Sequence, residues 1–374
     1  MPVDHVYRQL QQHLDKMPVG FPATESGVEI RILKHLFTPG EAGIALALSA
    51  LPEPLPVVYK RLKSKMSLAD CTLALEQMAT KGVIHRMPIR GQAHYCKMIF
   101  AIGMFERQIN HLTPEFDNDA REYIHGAFAE AFHTKKTTQL RTVPVHQSIA
   151  VDRTVATYDD IRGYVRRSNG PFAKMNCICR QGNDLHQKSC KQSKLRENCL
   201  MLGMAAEAMV GHGAASFIGQ EEMLQLLDDA DKEGLVLQPE NTKTPLFVCC
   251  CCGCCCGVLG SAKQFPRPAD YFSATYRAEV DADSCSSCWM CRERCQMEAI
   301  LEVDGRSQVD EARCIGCALC VTTCPSGALQ LKPKAAPKVP PDDTRALYIT
   351  LLRERYGPLG MASLAARKML GMKF

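Results

Sequence analysis

The placement of the cysteines is the strongest constraint on this chain. All but two of its 21 cysteines lie between Cys177 and Cys324, and the two exceptions are Cys71 and Cys96. The N-terminal residues lack the charged and apolar segments of a secretory signal, and no apolar run approaches the roughly 20 residues of a membrane span. Dense cysteines indicate disulfides in secreted proteins and metal sites in a reducing cytoplasm. We therefore expect a cytoplasmic metal-binding protein without a membrane span.

Bulk composition is that of a folded protein with more than one domain. Hydrophobic residues make up 46% of the 374 and charged residues 23%, which excludes wholesale disorder. The net charge of +5 is too small a bias to indicate nucleic acid binding. Helical and strand-like patterns occur together, so we expect a multi-domain α+β protein. The predicted parts are a helical docking domain over 1–140, a helical cysteine-rich domain over 141–265, a domain with regularly spaced cysteines over 275–332, and a linker with basic C-terminal helices over 333–374.

The N-terminal part contains helix starts followed by a hairpin. Thr38-Pro39-Gly40-Glu41 is a capping box with proline at the first helical position, and it predicts a helix to about Leu51. A second helix is predicted from Ser67 to Lys81, with an apolar stripe formed by Leu68, Cys71, Leu75 and Met78. Cys71 is accordingly assigned to the core. Two strands are predicted at 83–89 and 94–102. This order of elements resembles a winged-helix domain.

Eight cysteines near the C-terminus follow a repeated spacing. The pattern C-x2-C-x2-C-x3-C occurs at Cys285, Cys288, Cys291 and Cys295, and again at Cys314, Cys317, Cys320 and Cys324. Three closely spaced thiolates can bind three irons of one cubane cluster. Zinc is the weaker alternative, because zinc sites use pairs of cysteines separated by a longer loop. Between the two motifs, Asp304-Gly305 predicts a β-hairpin.

These motifs resemble the bacterial two-cluster [4Fe–4S] ferredoxins. The resemblance implies that the fourth cysteine of each motif binds the cluster of the other motif. It assigns cluster one to Cys285, Cys288, Cys291 and Cys324, and cluster two to Cys314, Cys317, Cys320 and Cys295. The sequence departs from the family at Gln296, where proline is usual. We expect this change to loosen the local turn without removing a ligand.

The middle cysteines form a second candidate metal region. They are Cys177, Cys179, Cys190, Cys199, Cys249, Cys250, Cys251, Cys252, Cys254, Cys255 and Cys256. Adjacent cysteines form poor disulfides, and thiolates select iron–sulfur clusters, zinc or Cu(I). An additional iron–sulfur cluster is favoured because of the neighbouring motifs, and structural zinc and a thiol-exchange site stay open. We also predict a helix over 219–234 and another beginning near Cys199, whose dipole would favour the Cys199 thiolate.

Taken whole, the chain resembles a family of long bacterial ferredoxin-domain proteins found mostly in anaerobes. The matching stretches are Gly20-Phe21-Pro22, Phe37-Thr38-Pro39, Asn176 to Arg180, Cys199-Leu200 and Cys249 to Leu259. The resemblance implies a winged-helix-like front, an Asn-Cys-x-Cys segment, a cysteine run and a dicluster module. The resemblance implies this domain arrangement but no particular activity.

Three functions are compatible with these features. The favoured one is an electron-transfer protein or redox-complex subunit that docks a redox protein partner, since no dinucleotide fingerprint or catalytic residue is recognisable. The alternative is a reductase whose middle cluster is catalytic, acting on a disulfide or a small molecule. The third is a redox-sensing DNA-binding regulator. The presumed recognition helix opposes it, because that helix carries Asp70 and Glu76 and only Lys81 as a base. The basic cluster of Lys60, Arg61, Lys63 and Lys65 is the one feature in its favour.

Overall fold

A computed structural model describes residues 3–145, 158–370 and 372–373. Its chain divides into two compact units, Met1–Phe132 with Ile349–Phe374, and His133–Tyr348. Helix accounts for 44% and strand for 16%, which confirms the α+β class. The predicted middle domain, 141–265, includes residues 146–157, which lie outside the described residues. No described helix is both long and apolar enough to cross a lipid bilayer.

The first unit combines helices with a small antiparallel sheet. Its helices are α1 (Val3–Leu14), α2 (Val28–Leu36), α3 (Pro39–Ala45), α4 (Leu55–Leu62), α5 (Leu68–Thr80), α6 (Pro114–His125) and α7 (Ala127–His133), with shorter helical turns at Phe100–Met104 and Glu106–Gln108. Strands β1 (Glu53–Pro54), β2 (Ile84–Ile89) and β3 (Gln92–Lys97) pair in the order β1-β3-β2.

Local capping signals start the two helices where predicted, although the first, predicted to run to about Leu51, ends at Ala45. The Thr38 side chain accepts a hydrogen bond from the Glu41 backbone N–H, and the Glu41 carboxylate accepts one from the Thr38 N–H. In α5, Cys71 is fully buried as predicted, whereas Leu68 is 48% exposed. The predicted stripe was therefore wrong at Leu68, because this first-turn side chain lies outside the face that packs on the core.

The second unit contains helices on a five-stranded sheet, followed by two small sheets. Its helices are α8 (Ile161–Arg167), α9 (Ile178–Leu185), α10 (Met204–Gly211), α11 (Gln220–Lys232), α12 (Gly257–Ala262), α13 (Met290–Arg294) and α14 (Leu319–Thr323), with a short turn at Pro268–Tyr271. Its strands are β4 (Phe172–Met175), β5 (Cys199–Leu202), β6 (Ala215–Ile218), β7 (Val236–Pro239), β8 (Phe247–Cys251), β9 (Tyr276–Val280), β10 (Ile300–Val303), β11 (Arg306–Val309) and β12 (Leu329–Pro333). The C-terminal helix α15 spans Thr344–Met369, and its residues from Ile349 onward belong to the first unit. It breaks at Gly357, which has φ +63, just before Pro358.

The middle of the chain is not the helical domain that we expected. Strands β6-β4-β5-β8-β7 form one antiparallel sheet, in that order. Cys199 begins β5 rather than a helix, so the predicted helix dipole at its thiol is wrong. Leu200 is buried in the sheet while Met204, at the start of α10, is 63% exposed. The apolar residues at 200, 204 and 208 have the spacing of one helical face, but the first lies in a strand and the other two in the helix that follows it.

The two cysteine motifs near the C-terminus adopt the same local conformation twice. Trp289 and Ala318 precede α13 and α14 in the left-handed region, with φ of 62 and 67. Strands β9 and β12 pair with each other, and β10 and β11 form the predicted hairpin around Asp304-Gly305. Both turn residues have positive φ, as a two-residue hairpin requires.

One hydrophobic core joins the middle and C-terminal cysteine segments. Leu227 of α11 and Val248 of β8 belong to the same buried cluster as Met297, Ile315 and Leu319. Because these apolar side chains share one core, the two segments are stabilised together rather than as separately folded modules.

Candidate metal centres

Eight cysteines of the repeated motifs line two cavities. One cavity is lined by Cys285, Cys288, Cys291 and Cys324. The other is lined by Cys295, Cys314, Cys317 and Cys320. In each case the fourth cysteine of one motif lies with the first three of the other. The structure therefore brings together the two sets of four that the ferredoxin resemblance implied.

Backbone groups surround several of these thiols with hydrogen-bond donors. The Ala299 N–H donates to Cys295 Sγ at 3.2 Å, and the Ala278 N–H donates to Cys314 Sγ at 3.4 Å. Backbone hydrogen bonds from Ser307 and Ser287 lower the pKa of Cys285. Donors aimed at sulfur stabilise thiolates and are one of the means by which proteins set cluster potentials.

Four of the middle cysteines converge on one point, here called the four-thiol group. They are Cys190, Cys252, Cys254 and Cys255, whose Sγ atoms all lie within 4.8 Å of one another. Cys190 comes from the loop after α9, and the other three come from the turn between β8 and α12. The hydrogen bond from the Cys255 thiol lowers the pKa of Cys252 to about 4. Cys254 is exposed, so this group lies at the protein surface.

The remaining middle cysteines, except one, form a connected chain of thiol–thiol contacts, here called the six-thiol group. Cys249 and Cys251 lie two residues apart on β8, and Cys199 is directly opposite Cys249 on β5, so all three point to one face of the sheet. Thiol contacts then run in the order Cys199, Cys249, Cys251, Cys256, Cys179 and Cys177.

Cys250 belongs to neither group. It occupies the alternate position of β8, opposite Leu237, and is 3% exposed within the hydrophobic core. Burial raises the pKa of its thiol to about 12. Its side chain therefore packs as an apolar residue, although the sequence placed it with the candidate ligands.

Arg180 is a buried cation beside these thiols. Its side chain is 1% exposed, and its guanidinium donates to Asn198 Oδ1 at 2.8 Å and to the Cys250 carbonyl at 3.3 Å. Its other described partners are thiols: the Cys190 side chain by hydrogen bond, and Cys177 and Cys252 through charge. Nε of Arg180 has no partner among the described atoms. Sequence reasoning gave Arg180 no role, and the only available signal was a basic residue directly after Cys177-x-Cys179.

Gln296 connects the cysteine run to the C-terminal motifs. Its side-chain Oε1 accepts a hydrogen bond of 2.7 Å from the Gly253 N–H, and Lys263 forms an ion pair of 2.6 Å with Glu298. Gln296 is 6% exposed. Proline at this position would lack the side-chain acceptor, so the departure from the ferredoxin pattern has a structural use in this chain.

The donor sets match the chemistry of iron–sulfur ligation. Each cavity and the four-thiol group offer four soft sulfur donors, and the described residues place no carboxylate or imidazole among them. Sulfur-only sets of this kind select iron–sulfur clusters or zinc over harder metals. The buried positive charge and unpartnered Nε of Arg180 also fit an anionic group bound nearby.

The fold and these sites together define an iron–sulfur protein with an electron-transfer role. Residues 307–330, which contain the second cysteine motif, match the 4Fe-4S binding domain family. No curated protein matches the chain at a significant level.

Proposed function

We propose that this protein is an electron carrier or redox-complex subunit with two [4Fe–4S] clusters in its ferredoxin-like segment and a further cluster at the four-thiol group. Two cavities, each lined by four cysteines in the crossed arrangement, support the pair of clusters most directly. Such clusters exchange single electrons, and this chain supplies their thiolates and the N–H donors around them. Cluster one would be bound by Cys285, Cys288, Cys291 and Cys324, and cluster two by Cys314, Cys317, Cys320 and Cys295.

The third cluster is proposed from the convergence of Cys190, Cys252, Cys254 and Cys255. Their Sγ atoms all lie within 4.8 Å of one another, so four thiolates converge on one point where a metal centre can bind. Sulfur–sulfur contacts of 3.6–3.7 Å are also the edge length of a tetrahedral zinc site, so zinc is the alternative that metal analysis must decide. Asn183 Nδ2 donates to Cys255 Sγ at 2.9 Å, which holds that sulfur in position. The shared core and the Gly253–Gln296 hydrogen bond support a fixed arrangement of this centre relative to the ferredoxin-like segment.

The first unit is proposed to dock a redox protein partner. Its three helices α3 to α5 and the sheet β1-β3-β2 support a winged-helix-like interpretation of this region. The outer face of α5 presents Leu68 at 48% and Leu73 at 59% exposure, beside the acidic Asp70. Exposed leucines on a helix with an acid suit a protein surface better than phosphates. Arg61, one of the four basic residues nearby, is paired with Glu53 at 2.6 Å.

A reductase with its catalytic centre in the middle segment is the second candidate. The observation that favours it is the exposure of Cys254, which gives the four-thiol group direct contact with solvent. A small molecule or disulfide could therefore approach this centre without a partner protein. Turnover of a low-molecular-weight disulfide by the reduced protein, lost in Cys254→Ala, would establish this activity.

Metal analysis of the anaerobically purified full chain tests the proposal. We expect iron and acid-labile sulfide above about eight per chain, the content of two cubanes, with reduced-state EPR signals from more than two clusters. Cys254→Ala should lose about four irons, the content of one cubane, and keep the eight of the ferredoxin-like segment. Stoichiometric zinc without additional sulfide would make the four-thiol group a structural site, and iron below eight would contradict the dicluster assignment.

A further inference from the structure

Six middle cysteines lie outside the four-thiol group and are also in contact with one another. Strand geometry alone places Cys199, Cys249 and Cys251 on one sheet face. Cys256 contacts Cys251 and Cys179, and Cys179 contacts Cys177, so the group extends from the sheet to the start of α9. Three separate segments of the chain are thus linked by successive sulfur–sulfur contacts.

The number of these thiols exceeds what a structural zinc site needs. Zinc binds four ligands in a structural site, and six thiols in one chain of contacts leave two in excess. Cys251 is 8% and Cys256 7% exposed, so a cluster bound to them would be largely shielded from water. Iron–sulfur chemistry suits this set, because one cluster presents several irons to thiolates from different directions.

Arg180 supplies the charge that an anionic cluster in this region requires. The guanidinium is buried, and none of its described hydrogen-bond partners is a carboxylate. An uncompensated buried cation is strongly destabilising, so an anionic partner is expected. The thiols that interact with Arg180 come from the two groups. Cys177 belongs to the six-thiol group, and Cys190 and Cys252 belong to the four-thiol group.

We propose that the six-thiol group binds its own iron–sulfur cluster, separate from that of the four-thiol group, with Arg180 as a counter-charge shared by the two. The inference rests on the proposed function only for the iron–sulfur nature of the middle segment. It adds a fourth centre and assigns its ligands to a subset of Cys177, Cys179, Cys199, Cys249, Cys251 and Cys256.

Alanine variants of the full chain, purified anaerobically, separate the two middle centres. Cys249→Ala and Cys256→Ala test the six-thiol group, and Cys254→Ala tests the four-thiol group. Cys250→Ala is the matched control, since it removes a neighbouring thiol of the same strand that points to the opposite face of the sheet. The readouts are iron and sulfide per chain, zinc, Mössbauer and EPR spectra, and circular dichroism for folding.

We expect wild type and Cys250→Ala to contain more than about twelve irons, the content of three cubanes. Cys249→Ala and Cys256→Ala should lose one spectroscopic component, and Cys254→Ala a different one, with the ferredoxin-like signals unchanged in all. The proposal is overturned if the six-thiol variants keep every component, if they lose the same component as Cys254→Ala, or if zinc replaces the iron. If Cys254→Ala changes no component while the six-thiol variants lose one, the cluster at the six-thiol group is supported and the cluster at the four-thiol group is contradicted. If the six-thiol variants do not fold, the iron content of the wild-type chain decides instead. The proposal is then overturned if the wild type contains about twelve irons or fewer and Cys254→Ala still loses one component.

Discussion

The thiol of Cys324 lies with the first cysteine motif, although Cys324 belongs to the second. Crossed ligation of this kind makes single substitutions informative, because each fourth cysteine reports on the cluster of the other motif. The neighbouring Ser326 hydroxyl is 3.6 Å from the Cys324 sulfur.

We predict that Cys324→Ser removes or converts the cluster held by Cys285, Cys288 and Cys291. Its reduced-state EPR spectrum should therefore match that of Cys288→Ser and differ from that of Cys317→Ser. Cys295→Ser is the reciprocal variant and should resemble Cys317→Ser. The crossed assignment is wrong if Cys324→Ser and Cys317→Ser give the same residual signal.

Arg180 allows a second prediction at the residue scale. A buried positive charge stabilises the reduced, more negative form of a nearby cluster, so its removal should lower the reduction potential. Arg180→Gln is expected to lower the middle-segment potentials by on the order of 60 mV, because 59 mV corresponds to about 1.4 kcal/mol for one electron. Arg180→Lys keeps the charge and should change them less.

Spectroelectrochemical titration of the full chain measures this difference. The two ferredoxin-like potentials serve as internal references and should stay constant in both variants. Equal potentials in wild type and Arg180→Gln would show that the guanidinium does not interact with a redox centre, and its role would then be limited to binding Asn198 and the Cys250 carbonyl.

At the scale of elements, the turn between β8 and α12 organises the middle thiols. Alternation along β8 sends Cys249 and Cys251 to one face and Cys250 to the core, and the turn that follows carries three members of the four-thiol group. Gly253 lies at the centre of this turn and contacts Gln296. The position and direction of the turn therefore depend on the ferredoxin-like segment.

We predict that Gly253→Ala destabilises the second unit by about 1–3 kcal/mol, the usual range for overpacking a closed site. A Cβ at this position would lie 2.3 Å from the Gln296 carbonyl oxygen, so the turn would have to shift. Gly211→Ala is the matched control, because a Cβ there meets nothing within 4 Å. Anaerobic urea unfolding and the rate of iron loss to a chelator measure the effect. Equal stability of the two variants would show that the turn is free to move.

At the scale of the molecule, the second unit is stabilised as a whole, and the first is the part that we propose docks a partner. The buried cluster that contains Leu227 and Leu319 joins the two cysteine-rich segments. Tests of the middle centres consequently use the full chain, since cutting after Lys263 would remove part of this core. The first unit, in contrast, contains only Cys71 and Cys96 of the cysteines, and both are buried.

We predict that the full chain binds duplex DNA only weakly and that the binding falls steeply with added salt. The exposed face of α5 offers leucines and Asp70, whereas phosphate contacts need several free bases. Fluorescence anisotropy with random and genomic duplexes at low and physiological salt measures it. Nanomolar, sequence-specific binding at physiological salt would instead support the redox-sensing regulator.

Much of the local structure could be predicted from the sequence, because its signals act over a few residues. The capping box at Thr38, the helix α11 and the hairpin at Asp304-Gly305 each depend on neighbours in the chain, and all were confirmed. The strand β5 at Cys199 was missed, because short apolar runs fit either period and the pairing partner in β8 is some fifty residues away.

The sequence by itself determined that this is an iron–sulfur protein of mixed helix and strand, since ligand type and spacing are properties of the chain. Only the tertiary structure decided how the middle cysteines divide. Cys249, Cys250 and Cys251 are equivalent in sequence, yet strand alternation buries one in the core and points two toward Cys199. The tertiary structure also buries Arg180 beside the thiols and brings Gln296 to Gly253, because burial and long-range hydrogen bonds arise only when distant segments pack together.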